Sequence, residues 1–344
     1  MPNLAFKPKL IVKKLLAVLP ERGRHVLTSR YGLGVDASKQ TLESIGDKYG
    51  ITRERVRQIE NASIANIRKS SVFKGEQGSF DELKKLFEVL GGIISEEDFL
   101  NYITTKDKSL QNHIHFMLVT GHNFKKLKED EDFKHRWHIN DELAKKVEEA
   151  LRKLYKNLSD EELLLESELI KQFLEHLKDV AEEYKKEEIL RRWLSLSKKI
   201  GRNPLGEWGV SASKNVHVKG IRDYAYLALR KHGSPIHFKE VAKSISAMFN
   251  KKAHVATTHN ELIKDKRFVL VGRGLYALSE WGYLSGVVKD VISKVLLKYG
   301  PMAKEEIIDK VLKERYVKKN TILVNLQNSK HFKKDKEGKY SATK

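Results

Sequence analysis

Residues Thr41–Ser70 read TLESIGDKYGITRERVRQIENASIANIRKS, and this stretch decides the fold of the N-terminal part of the chain. Apolar residues fall at Leu42, Ile45, Tyr49, Ile51, Val56 and Ile59, with Gly50 between two helical patterns. Two short helices joined by a tight glycine turn, each with one apolar face, read as a helix-turn-helix. Gly46 falls where the helices cross, so only a small side chain is tolerated there. Thr52 is placed to cap the second helix, its hydroxyl accepting a hydrogen bond from a free backbone N–H.

At about 100° per residue, Val56, Ile59 and Ser63 share one face of the second helix. Arg53, Glu54, Arg57 and Gln58 lie on the other, near the N-terminal end that a recognition helix pushes into the major groove. Arginine can bind guanine in a bidentate way, glutamine can bind adenine, and glutamate can accept from cytosine. Arg55 projects sideways, which suits a phosphate contact. A solvated face laced with salt bridges is the competing reading, and periodicity alone leaves both open.

The run LPERGRHVLTSRYGLG, followed by TLESIGDKYGITRERVRQIENASIANIRK, resembles region 4 of the sigma-70 family of transcription initiation factors over Leu19–Lys69. The resemblance implies a domain that reads the upstream (−35) promoter element and docks on the flap of the RNA polymerase β subunit. It makes Arg53, Glu54 and Gln58 the expected base readers, and Arg55, Arg57 and Thr41 the expected backbone or flanking contacts. In that family an aromatic and basic region 2, which melts DNA and grips the polymerase, comes earlier in the chain. Only about twenty residues stand before the matched stretch here. The expectation is therefore a protein that binds a promoter or the polymerase without opening DNA alone.

Composition agrees with a polyanionic partner. The 344 residues carry a formal net charge of +20, and such a balance favours nucleic acid or an acidic membrane surface. The charge is uneven: roughly +9 over 1–75, −4 over 81–200 and +16 over 201–344. With no cysteine, disulfides, thiolate zinc sites and a cysteine nucleophile are excluded. The apolar run Leu10–Leu19 is broken by Lys13 and Lys14 and is too short to span a bilayer. A soluble, unprocessed protein with no membrane partner is expected.

Working outward, the expected fold class is mainly α: a helix-turn-helix domain (1–70) followed by several winged-helix domains. Ser71, Gly75 and Gly78 mark 71–79 as a linker. Residues 80–140 read as a degenerate winged helix, closed by a hairpin within FKKLKEDEDFKHRWHIN (Phe124–Asn140). Asn140–Leu158, Ser159–Tyr184 and Glu187–Ile200 carry helical spacing. They fall in a unit, 141–216, that ends in GEWG. His113, His115, His122, His135 and His138 lie in this middle part without acidic partners at metal-site spacing, so no metal is expected.

The last part is duplicated. KHGSPIHFKEVAKSI matches KYGPMAKEEIIDKVL, and further on Thr257 pairs with Thr321, Leu262 with Leu326, Phe268 with Phe332, Gly274 with Gly338 and Tyr276 with Tyr340. Each copy (217–284 and 285–344) reads as three helices and a hairpin turning at glycine, which supplies the positive φ of a tight turn. The hairpin reading also accounts for Gly272–Gly274, which lacks the third glycine and following helix of a phosphate loop. Trp208 and Trp281, in matching GEWG and SEWG contexts, are expected to pack under wings.

Val218–Tyr283, with SPIHFKEVA and GRGLYALSEWGY, is similar to the HARE-HTH family of winged helices found in the RNA polymerase δ subunit and in chromatin and restriction-associated proteins. The resemblance implies association with DNA or the transcription machinery. The third helix of each copy would then offer Lys252, His254, Thr257, Thr258, His259 and Asn260, or Lys318, Lys319, Asn320 and Thr321, as secondary contacts.

No paired carboxylates beside a lysine, no Walker motif and no Ser–His–Asp arrangement can be picked out. Neither catalytic residues, nor a cofactor, nor a small-molecule substrate is expected. The reading that follows is a bacterial cytoplasmic or nucleoid transcription protein with double-stranded DNA and RNA polymerase (β flap) as partners. Two alternatives stay open: an accessory DNA-binding subunit of a restriction-type system, and a protein-interaction scaffold built on the acidic middle.

Overall fold

The computed structural model describes residues 4–177 and 179–343. Positions 1–3 and 344 of the first and last expected domains, and position 178 of the expected helical stretch 159–184, lie outside the described residues. The chain divides into two compact units, 1–201 and 202–344. It is mainly α-helical with small antiparallel sheets.

The first unit opens with α1 (Pro8–Ala17), α2 (Glu21–Tyr31), α3 (Leu42–Tyr49) and α4 (Arg53–Lys69). Helix α3 ends at Gly50, in the left-handed conformation, and α4 starts on Thr52, whose hydroxyl accepts from Arg55 N. These are the turn and cap expected from sequence. Leu42, Ile45, Tyr49, Ile51, Val56 and Ile59 close together around Val26 of α2. A Cβ on Gly46 would stand 2.5 Å from the carbonyl oxygen of Ile51, which is why this crossing needs glycine.

The expected linker 71–79 is instead helical: α5 (Ser71–Gly75) runs into α6 (Gln77–Val89). Phe73 is buried at their junction, against Phe80. Small residues suggest breaks in sequence, but Gly75 and Gly78 face open space on helices anchored by that phenylalanine. Then follow β1 (Ile93–Ser95), α7 (Glu96–Ile103), α8 (Lys108–Thr120), β2 (Lys125–Leu127) and β3 (Arg136–His138). The strands pair in the order β1-β3-β2, with Ile94 opposite Trp137. Helix, strand, two helices and a hairpin make a winged helix. It does not stand apart from 1–70, because α1, Tyr31 and Ile67 share one apolar core with α6, α7 and α8. Helix α8, third of this winged helix, is buried almost all round.

Next come α9 (Asp141–Asn157), α10 (Glu166–Glu175) and α11 (Glu187–Leu194), then the paired strands β4 (Ile200–Arg202) and β5 (Trp208–Val210), a second winged-helix-like order without a named strand after its first helix. The helices are shorter than their spacing implied. Residues 159–165 lie outside them and Ile200 is in a strand. The units also divide at 201/202 rather than at 216.

The second unit holds the duplication. Its first copy is α12 (Ile221–His232), β6 (Ile236–His237), α13 (Phe238–Phe249), α14 (Val255–Lys264), β7 (Phe268–Gly272) and β8 (Leu275–Leu278). The second is α15 (Val288–Tyr299), α16 (Lys304–Glu314), α17 (Lys319–Leu326), β9 (Phe332–Lys334) and β10 (Tyr340–Ala342). The first sheet has the order β6-β8-β7, and in the second copy the first strand shrinks to a bridge between Met302 and Tyr340. Residues paired in sequence occupy matching places. Leu262 and Leu326, and Phe268 and Phe332, are buried, while Gly274 and Gly338 turn the two hairpins at φ +70° and +88°.

Candidate nucleic-acid interface

Helix α4 carries the expected recognition surface. Arg53, Glu54, Arg55, Arg57 and Gln58 are all exposed, whereas Val56, Glu60, Ser63 and Ile67 form the buried edge. Glu54 lies in the first turn and Arg68 and Lys69 in the last, both favourable to the helix dipole. Two pairs form along the exposed face. Arg57 donates to both oxygens of Glu54 (2.9 and 2.7 Å), and Arg55 Nη1 donates to Gln58 Oε1 (3.0 Å). Arg57 holds the Glu54 carboxyl below the usual carboxylate range. Arg53 has no hydrogen bond or ion pair among the described residues, which leaves its guanidinium available. Thr41 is exposed but spends its hydroxyl's acceptor capacity as the cap of α3, taking a bond from Ser44 N at 3.1 Å.

What aims this face is a set of buried polar ties that sequence reading missed. Tyr31 Oη donates to Glu60 Oε1 at 2.7 Å beneath α4, and burial beside that carboxylate pushes the phenol above its ordinary range. The Arg68 guanidinium donates to the carbonyls of Val119 (2.8 Å) and Thr120 (3.0 Å) at the end of α8. Asn112 Nδ2 reaches from α8 to the carbonyls of Gly32 and Ala37, both at 2.9 Å, fixing the α2–α3 connection. Glu60 was detectable in principle: it falls on the Val56–Ser63–Ile67 edge, where a charged residue requires a buried partner. Nothing local marks Asn112 or Arg68.

In the first copy of the duplication, the third winged helix in chain order (the second copy being the fourth), the expected contacts separate. Lys252, His254, Thr257 and Asn260 are exposed, the first two ahead of α14 rather than on it. Thr258 is fully buried, its hydroxyl donating to the His254 carbonyl at 3.0 Å, so it is removed from the contact set. One helical step from Thr257 turns it toward α12 and α13. His259 is half-buried and stacks on Phe238, ring centroids 4.1 Å apart. In the fourth, Lys318, Lys319, Asn320 and Thr321 are all exposed at the start of α17. Trp208 is buried and Trp281 packs beside Val269, Val271 and Ala277 of the wing.

Of the five histidines in the middle, His113, His115 and His138 are buried and His122 and His135 exposed. Among the described residues no group of three metal-ligating side chains converges, and no helix is long and apolar enough to cross a membrane.

Residues 15–69 match the family model described as Sigma-70, region 4. Over 60 residues the chain is 45% identical to the RNA polymerase sigma factor RpoD from each of two strains of Helicobacter pylori. That stretch is 17% of this chain, and the chain spans 9% of the length of these curated relatives. The match begins at Leu15, within α1, and ends with α4 at Lys69.

Proposed function

We propose that this protein is a promoter-directed, sigma-like DNA-binding transcription factor or auxiliary RNA polymerase-associated subunit, in which α4 reads a −35-like element. Arg53, Glu54 and Gln58 contact base edges, and Arg55, Arg57 and Thr41 contact the flanking backbone. The β flap of the polymerase is the protein partner, and the fourth winged helix adds phosphate contacts through Lys318, Lys319 and Asn320. The protein acts by binding, without catalysis or cofactor, in the bacterial cytoplasm or nucleoid. The observation that carries this reading is one coincidence. The segment that matches sigma-70 region 4 is also the one that presents arginine, glutamate and glutamine together on the exposed first turns of a capped helix.

The order of helices and strands in Val218–Tyr283 supports reading it as a HARE-HTH-like module, of the kind that accompanies DNA or the transcription machinery. A protein-docking role for α14 itself is favoured by its surface, where Val255 is 41% and Ile263 63% exposed. A basic third helix would suit DNA; this one carries Lys264 as its one lysine or arginine, offset by Glu261.

Binding of the full chain to a duplex carrying a −35-like hexamer, against a scrambled duplex over a salt series, tests the proposal. A preference for the hexamer that is lost in Arg53→Ala or Gln58→Ala is expected. Equal and steeply salt-dependent binding to both duplexes would remove base reading and leave only a basic protein.

A further inference from the structure

Between the third and fourth winged helices lies a cleft of about 780 Å³ whose lining shares only Lys318 with the proposed DNA contacts. The wing of the third forms one wall, through Leu270, Arg273 and Leu275; Leu312, Val317 and the start of α17 form the other. The two walls are joined at one edge, where Tyr316 N donates to the Val271 carbonyl at 2.7 Å.

Arg315 lines this cleft from the α16–α17 connection, yet only 4% of it is exposed. Its Nη2 donates to the carbonyls of Leu284 (2.9 Å) and Gly286, while its Nε is buried with no partner. Among the described residues no carboxylate lies within ion-pair distance of it. The two acidic side chains that act on it are engaged elsewhere. Asp290 accepts from Val287 N at 2.8 Å and Glu314 from Leu284 N at 3.2 Å. Buried charges in proteins are normally paired, because removal from water is otherwise uncompensated. The clamp on two carbonyls uses Nη2 alone, so Nε stays unpartnered and the nearby Glu314 and Asp290 act on the charge only at a distance.

A second feature points into the same space. Helix α17 begins without a side-chain cap and without an acidic residue in its first turn, and Lys318 and Thr321 from that end line the cleft. Uncapped N–H groups at a helix start favour an anion. The equivalent corner of the third winged helix also has an uncapped helix start at α14, but the exposed Asn250 stands where the buried Arg315 does.

We propose that this cleft binds a small organic oxyanion, a carboxylate or phosphate carried on an apolar body, with its charged end on Arg315 and the start of α17. The apolar walls at Leu270, Leu275, Leu312 and Val317 take the body, and Arg273 closes over it from the wing. A mostly apolar cleft of this size with a few convergent polar groups suits a small molecule rather than a polymer backbone. The site shares no residue with α4, and of the proposed DNA contacts it uses only Lys318.

The test is calorimetric titration of the full chain with decanoate, below its micelle concentration, and with adenosine monophosphate, the two sources of such an anion. Inorganic phosphate and decyltrimethylammonium serve as controls. One of the two organic anions is expected to bind about tenfold or more tightly than inorganic phosphate, with no matching signal from the cation. Arg315→Met should abolish saturable binding. Should that variant fail to fold, Arg273→Ala and Lys318→Ala, both at exposed positions, should each weaken it by about threefold or more. The proposal is overturned if neither anion saturates, or if the cation binds as well. It also fails if binding withstands the two surface variants, or if those variants change only the affinity for a DNA duplex.

Discussion

The carboxylate of Glu54 and the guanidinium of Arg57 meet in a two-bond pair, Oε2 accepting from Nε at 2.9 Å and Oε1 from Nη2 at 2.7 Å, on the exposed face of α4. One position further along, Arg55 and Gln58 pair in the same i,i+3 geometry, while Arg53 stands unpaired. The free protein thus holds Glu54, Arg55, Arg57 and Gln58 mutually satisfied. Binding must exchange these pairs for contacts to DNA. A wrong sequence breaks the pairs without replacing them, so the arrangement raises discrimination at some cost in affinity.

Removing Glu54 should therefore release Arg57 as a general phosphate ligand. In Glu54→Ala the affinity for a scrambled duplex is expected to rise by about two- to fivefold, with a smaller preference for the −35-like hexamer. Arg57→Ala should weaken binding to both duplexes alike and reduce the slope of log affinity against log salt by about one. Fluorescence anisotropy over a salt series reads both, and an unchanged slope in Arg57→Ala would place that guanidinium away from phosphate.

The Tyr31–Glu60 bond lies beneath the same helix. Tyr31→Phe leaves a buried carboxylate without its donor, which should destabilise the first unit by about 1–3 kcal/mol. In a Glu60→Leu background the same substitution should cost much less, because no acceptor is then stranded. Denaturant midpoints of the four proteins measure the coupling. Equal losses in both backgrounds would show that the Tyr31 hydroxyl does not act through Glu60.

Gly46→Ala forces a Cβ against the Ile51 carbonyl and should cost about 1–3 kcal/mol by prying α3 from α4. Gly75→Ala, on α5 with open space around it, should be neutral or slightly stabilising. Thermal denaturation separates the two, and a neutral Gly46→Ala would mean that the helix crossing yields.

Acid should weaken the first unit before its carboxylates titrate. Burial holds the imidazoles of His113, His115 and His138 below their ordinary value of 6.5, against smaller opposing effects from Ser109, Glu96 and Asp141. Between the folded values and about 6.5 the unfolded chain binds more protons, so stability rises with pH across that window. The contribution is complete above about 6.5 and is lost as pH falls. Glu96, Asp130 and Asp141, held below the usual carboxylate range by cationic and hydrogen-bonding partners, extend the loss to lower pH. The urea midpoint followed by tryptophan fluorescence should be flat above about pH 7 and fall from about 6.5 to 5.5. A flat profile across that interval would contradict neutral buried imidazoles.

Much of this molecule was legible in the sequence, wherever the deciding interactions are local. The apolar positions Leu42, Ile45, Tyr49, Ile51, Val56 and Ile59 did form one core, Thr52 did cap α4, and the repeat placed Gly274 and Gly338 on matching turns. Helical period, a cap and a hairpin turn each depend on a few neighbouring residues, so their signature survives in one dimension. Which faces meet depends on residues distant in the chain, and there the reading ran out. Small residues at 71–79 looked like a linker until Phe73 was found buried against Phe80, and Thr258 looked like Thr257 until the packing of α14 hid it. Only the tertiary structure placed Tyr31 under Glu60, tied Asn112 to the α2–α3 connection, buried α8 and left the Arg315 Nε without a partner. A charged or polar side chain carries no local mark of its burial, because the desolvation that makes it costly and the partner that offsets the cost arrive together only on folding.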